Sequence, residues 1–411
     1  MQSIEDRLIS TLKIRKGKNK AVRRLCIFIT IFISFLLVSC NEMPNRIPIE
    51  QLQPILVVGV DTKDDMVELT VMCITTKPGA EGGGGEEGVK IYEAEGKTIF
   101  EAKRKMHTYA DKHLTWVHLQ YIIIGDEAAK NGISEFLDFF MRNHENRLSD
   151  FLVVAKNSTA REFIKNTDTV NPSMDDKIKY LFDDDKMMSI AKEMSIKDYL
   201  RRYHSEGYHV LLPCLVTTEK TTDESPEKEG GSSKKDIKLD GYAIFNHNAE
   251  LIEYAPIEYS RGINWIINEI RSTPIVIDTV DGARLSVEVT HSRTKVKLSR
   301  DYKTVNIDIR VNFNIPEYTG GIRLFDLNHI EIIEDKVQEI IKKEVIDTMK
   351  YLQNINSDVT GLGNIYYRQY PNEWSLIEYK WHDIFKELEV DVKVISNLRN
   401  TYNIVDPIKL R

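Results

Sequence analysis

Cysteine is scarce in this chain. Four cysteines in 411 residues cannot form a dense disulfide framework. Long apolar runs are missing too: none reaches the roughly 20 residues that a membrane-crossing helix needs, which excludes a polytopic membrane protein. Nor is there a basic excess. The 63 acidic residues outnumber the 56 basic ones and leave a net charge of -7, the opposite of the footprint of a general nucleic-acid binder. Catalytic signatures are also lacking. No His-Glu-x-x-His and no Gly-x-Ser-x-Gly occurs, and the glycine run Gly82 to Gly85 lacks the Lys-Ser/Thr that completes a phosphate-binding loop. The histidine group His107, His113, His118 and His144 contains no i, i+4 pair, so these residues read as solvated or packed, and no metal or cofactor is expected. Asp183-Asp184-Asp185 lacks the calcium-loop pattern and reads as a surface charge run. What is present, 42% hydrophobic and 29% charged residues, suffices to bury cores. At about 150 residues per domain the length predicts two or three domains.

The N-terminus carries the sharpest local signal. Eight basic residues among the first 24, opposed only by Glu5 and Asp6, precede the apolar run Leu25 to Val38. That run suits the hydrophobic region of a signal peptide. It ends Leu37-Val38-Ser39-Cys40, and Asn41, Glu42 and Pro44 close the apolar character at once. The tetrapeptide resembles a bacterial lipobox, in which small residues fit a peptidase and the cysteine thiol takes a diacylglyceryl thioether. Residues 1–39 are therefore expected to be a lipoprotein signal peptide cleaved between Ser39 and Cys40, with lipid on Cys40. The alternative is an ordinary signal, or an uncleaved anchor, with an incidental cysteine. Removing residues 1–39 takes away eight basic and two acidic residues and leaves a charge near -13. An acidic body gains nothing from an anionic membrane, so acyl chains must hold it, at about 0.8 kcal/mol per buried CH₂. Cys73 and Cys214 are expected as two buried thiols.

Periodicity organises the rest. Ile55 to Asp61 is a continuous apolar run and predicts a buried strand. Val67, Leu69, Val71 and Cys73 alternate with polar residues and predict a second strand after a turn at Asp64-Asp65. Lys77 to Gly88, with six glycines, predicts a loop. Thr98 and Glu101 form a capping box for a helix through Ile99, Ala102, Met106 and Ala110. A strand at Tyr121–Ile124, a helix from Asp126 stopped at Asn131-Gly132, a helix capped by Ser134, a strand at Phe151–Val154 and a helix over Ser158–Lys165 follow. This alternation predicts a mixed α/β region. Thr217 to Lys238 is polar and predicts a flexible linker or loop. Beyond it, Val305 to Ile315 alternates strictly, Leu285 to Leu298 and Leu388 to Val394 repeat the pattern, and Ile330 to Leu352 keeps a helical period. Gly361-Leu362-Gly363 after that helix reads as a helix end. The expected fold is multidomain and α+β: an N-terminal mixed α/β region and a C-terminal antiparallel sheet packed with a long amphipathic helix. The expected divisions are residues 1–39, 40–216 (divisible near 195), 217–238 and 239–411.

An exported chain without a catalytic constellation points to binding or assembly. Several blocks, taken in order, resemble the C-subunit lipoproteins of spore germinant receptors, the Ger(x)C or GerAC-like family. They are Val57-Val58-Gly59-Val60-Asp61, Gly96 to Ala102, Tyr121 to Ile133, Phe139 to Asn143, Leu239 to Phe245, Trp265, Gly361-Leu362-Gly363 and Tyr370 to Trp374. One departure follows Cys40, where the family commonly carries Trp-Asp and Arg-Glu and this chain has Asn41 to Arg46. The resemblance implies a non-enzymatic subunit, lipid-anchored on the outer face of the spore inner membrane. Its partners would be two integral membrane subunits, A-type and B-type, and it would meet a nutrient germinant directly or through them. The residues also admit a solute-binding lipoprotein of a transporter, which requires two lobes around a deep cleft. A cell-wall hydrolase would require a metal or carboxylate site.

Overall fold

Two sheets organise the chain in this computed structural model, which describes residues 27–29, 47–76, 87–167, 173–219, 235–278, 284–319 and 327–401. The first sheet and its helices contain β1 (Leu52–Lys63), β2 (Met66–Thr76), β3 (Glu87–Gly96), α1 (Ile99–Met106), β4 (His113–Thr115), β5 (Tyr121–Gly125), α2 (Asp126–Asn131), α3 (Ser134–Arg142), β6 (Phe151–Ala155), α4 (Ala160–Asn166), α5 (Met174–Asp184), β7 (Met194–Ser195), α6 (Ile196–Tyr203), β8 (Leu211–Thr218), β9 (Asp236–Phe245) and β10 (Leu251–Ala255). The second part contains α7 (Ile257–Ile266), β11 (Thr273–Asp278), β12 (Arg284–Leu298), β13 (Thr304–Tyr318), α8 (Leu327–Asn354), α9 (Leu362–Gln369), α10 (Pro371–Trp374), α11 (Trp381–Glu387) and β14 (Glu389–Asn400).

The larger sheet has the order β10-β9-β8-β6-β5-β1-β2-β3, with β4 on β1 and β7 on β6. Its centre is parallel: β1 pairs with β5, β5 with β6 and β6 with β8. Both flanks are antiparallel. Helical crossovers cover the parallel centre, which is why its strands read as unbroken apolar runs; all five residues of β5 are buried. Asp64 and Asp65 close the β1–β2 hairpin with φ of 48° and 61°, the left-handed pair that a two-residue turn of matching twist requires.

The expected mixed α/β region and the C-terminal sheet with its long helix are both present, with local corrections. The α1 helix stops at Met106, and 107–109 form a turn short of Ala110. Ser134 is the first helical residue of α3, not a cap, and makes no capping bond. Strand β3 was not foreseen. It is an edge strand carrying Lys90, Glu93 and Glu95, and pairing with β2 outweighs its weak apolar content. The polar segment 217–238 has both ends in a ladder, with Thr217 opposite Ile237 and Thr218 opposite Asp236. It therefore joins two neighbouring strands of one sheet; residues 220–234 lie outside the described chain. Position 195 falls within β7, which pairs with β6 inside the same sheet.

The smaller sheet has the order β11-β12-β13-β14. The first three strands are antiparallel as expected. Strand β14 pairs with β13 in parallel, because the chain returns by way of α8 to α11 rather than by a hairpin. Alternation along β13 sends Val305, Ile307, Ile309, Val311 and Phe313 into the core, where Val337, Ile341, Val345 and Met349 of α8 are also buried. Ser396 of β14 donates to the Glu334 carbonyl of α8 at 2.8 Å. Arg261 of α7 grips Glu344 of α8 in a fork, at 2.6 and 3.1 Å.

Candidate functional site

Ser39 and Cys40, the expected cleavage and lipidation residues, lie outside the described residues, as does the glycine run 82–85. Cys73 and Cys214 are both free and buried, as expected, and burial pushes both thiols up to about 12. Of the acidic run, Asp183 pairs with Lys186, but Asp185 is buried. Its carboxylate accepts from the backbone N–H of Ile190 at 2.8 Å and Ala191 at 3.0 Å. It staples a loop rather than facing solvent, and burial raises its pKa to about 6.

Three of the four N-terminal histidines come together. His107, His113 and His144 line a cleft of about 570 Å³ between α1 and α3, whereas His118 is exposed elsewhere. The His107 and His113 rings lie 5.1 Å apart. Burial, and then His113, lower the His107 pKa. Phe136 and Phe139 supply an apolar wall. Lys103 reaches Glu145 at 3.3 Å and lies 4.9 Å over the Trp116 ring. Mixed charges beside aromatic rings suit a small amphoteric molecule.

The second constellation sits where the loop before β8 meets α9 and α11. Its hub is Asp358, a fully buried carboxylate. Oδ1 accepts from Thr360, Gly361 N–H and Leu362 N–H at 3.0, 2.8 and 3.0 Å; Oδ2 accepts from Gly363 N–H at 2.8 Å and from Trp381 Nε1 at 3.1 Å. Burial pushes this carboxyl's pKa up and the donors pull it down. Gly361-Leu362-Gly363 thus opens a helix instead of ending one, a correction whose cause is Asp358 gathering the first free N–H groups. Gly361 has φ of 74°, and a Cβ there would overlap the Tyr208 ring. The carbonyl of Asp358 accepts His209 N–H at 2.9 Å.

His209 is itself part of a cluster. Its ring lies 4.3 Å from that of His247, in the β9–β10 turn, and 5.1 Å from that of His382, in the first turn of α11. Nε2 of His247 and Nε2 of His382 are 2.7 Å apart, and His209 Nδ1 is 2.9 Å from Ser357 Oγ. Burial first, then His247 and His382, holds the pKa of His209 down to about 3. Burial lowers the other two as well. No local spacing announces this trio; 135 residues separate His247 from His382.

A third node explains one of the sequence blocks. Asp61, at the end of β1, is buried and caps α4 by accepting Ala160 N–H at 2.7 Å and Arg161 N–H at 2.9 Å. Gly125 lies so close that a Cβ there would overlap the Asp61 carboxylate.

Two family models match the chain in tandem. "Spore germination protein N-terminal domain" matches residues 45–217, and "Spore germination B3/GerAC like, C-terminal" matches residues 240–402. The chain belongs to the spore germination B3/GerAC-like family. Among its relatives in Bacillus subtilis (strain 168), spore germination protein KC is 25% identical over 402 residues, covering 94% of this chain and 98% of the relative. Spore germination protein A3 is 25% identical, covering 91% and 96%, and spore germination protein B3 is 22% identical, covering 90% and 96%. The crystal structure of the GerBC protein superposes with a TM-score of 0.51 at 18% identity, covering 84% of this chain and 97% of that one, which establishes a shared fold. Three of the sequence blocks thus lie at buried nodes: Asp61 caps α4 with Gly125 packed against it, and the Gly361 segment wraps Asp358. Among the described residues no helix is long and apolar enough to cross a membrane.

Proposed function

We propose that this protein is the lipid-anchored C-type subunit of a spore germinant receptor, needed for nutrient-triggered germination. It acts by assembly with A- and B-type integral membrane subunits rather than by catalysis. The observation that carries this reading is the tandem match over 45–217 and 240–402, with relatives named as spore germination proteins aligned over nearly their whole length. In this reading Cys40 bears the acyl chains after cleavage at Ser39–Cys40 and holds the body on the outer face of the spore inner membrane. Leu37-Val38-Ser39-Cys40 after a short apolar run supports the anchor. Deletion of the gene should abolish the response to one class of nutrient and spare germination by other triggers. Cys40→Ala should release the protein from spore membranes and reproduce the deletion. A deletion strain that answers every nutrient normally, with no paralogue to substitute, would refute the reading.

The cleft between α1 and α3 favours a second reading, a solute-binding lipoprotein of a transporter. Calorimetric titration of the protein with amino acids separates the two. Tight one-to-one binding without any receptor partner supports solute binding; heat of dilution alone supports the assembly role.

A further inference from the structure

We propose that His209, His247 and His382 form a binding site for a divalent transition-metal ion, zinc first among them, that clamps the two family regions together. This site stands independently of the receptor role. His209 lies in the region matched by the N-terminal model, and His247 and His382 lie in the region matched by the C-terminal one. Each offers one ring nitrogen, and the three nitrogens all lie within 4.8 Å of one another. The donor set is all imidazole. Borderline cations such as zinc, nickel and copper take such ligands, while magnesium and calcium demand oxygen.

Small rearrangements complete the site. A tetrahedral zinc with Zn–N of about 2.0–2.1 Å places ligand nitrogens roughly 3.3 Å apart. His247 and His382, now 2.7 Å nitrogen to nitrogen, therefore open by roughly half an ångström as the ion replaces their hydrogen bond. The His209 and His382 rings are stacked 19° from parallel, so one must turn about χ2 to aim its lone pair. Ser357 provides the outer support. With His209 Nδ1 held at 2.9 Å by Ser357 Oγ, Nε2 is the ligating atom. His209 is buried, His382 partly buried and His247 exposed, so the fourth coordination position faces solvent and takes water or one further ligand.

The test uses the full chain in detergent, purified through a tag that contains no histidine, with zinc as titrant and cobalt as spectroscopic probe. Expected are one zinc per chain, the visible absorption of tetrahedral cobalt, and an unfolding temperature that rises with zinc. His247→Ala removes an exposed ligand without touching the core and should weaken zinc binding at least about a hundredfold, more than loss of an outer-shell partner does. Ser357→Ala should weaken it about tenfold. The double variant His107→Ala/His113→Ala, in the cleft, should bind as the parent does. Zinc binding unaltered in His247→Ala, binding abolished by the cleft variant, or no binding to the parent chain would each overturn the proposal.

Discussion

The ten-stranded and four-stranded sheets handle polar groups in opposite ways. In the larger sheet the central strands are covered on both faces, so a polar side chain survives there only with its partners built in; Asp61 is buried and meets two backbone N–H donors. In the smaller sheet α8 covers one face and the other is wet. Arg293, Lys295, Lys297, Arg310 and Lys393 stand together on that face, with Asp308 among them. The same residue type thus does different work by position. A carboxylate in the large sheet is a structural pin, and one on the open face is a solvated charge. Where the two parts meet, Asp358 follows the large-sheet rule in its extreme form, with five donors around one carboxylate.

That contrast is open to direct attack. The largest effect is expected at Asp358: Asp358→Ala strands five donors in the interior and should cost about 4 kcal/mol or more, read from the denaturant midpoint. Asp61→Ala, which frees two donors and uncaps α4, should cost about 2–3 kcal/mol. Asp308→Ala on the wet face should leave the midpoint where it is; equal losses at Asp61 and Asp308 would break the comparison. Acid titration sharpens it further. Burial raises both Asp150 and Asp185 to about 6. A carboxyl raised above its unfolded value of 3.8 contributes stability that is fully present below that value and lost as pH rises through the folded one. Each of these two groups should therefore contribute a loss on the order of 2–3 kcal/mol as pH rises from 4 to 7, against the gain from His209, whose pKa burial holds down to about 3. The stability advantage of the parent over Asp185→Asn should shrink by that amount from pH 4 to pH 7, and a difference between the two that does not change with pH would contradict the assignment. The smallest effect concerns the thiols: Cys73 and Cys214, both in the large sheet, should resist a thiol reagent in the native state and react only after unfolding.

Much of the fold is legible residue by residue. The apolar run Ile55 to Val60 becomes a buried central strand, the strict alternation of Val305 to Ile315 becomes a strand with one wet face, and Thr98 caps α1 by accepting Glu101 N–H at 3.2 Å. Edge strand β3 escaped because its place depends on β2 rather than on its own composition. The parallel pairing of β14 escaped because direction follows from the connection, and alternation looks the same in either direction. Of the candidate sites, the cleft histidines were visible as a group near in sequence, but their convergence was not.

By itself, the sequence determined the periods, the helix caps, the acidic balance and the apolar run Leu25 to Val38 that precedes Ser39-Cys40, since each of these depends on neighbours within a few turns of chain. Only the tertiary structure decided that Asp358 collects the start of α9, that Asp61 pins α4, and that His209, His247 and His382 share one spot. The reason is geometric. Local pattern sets which face of an element is apolar, but the meeting of side chains 38 and 135 residues apart depends on how helices and loops route the chain between sheets, and no short-range signal encodes that path.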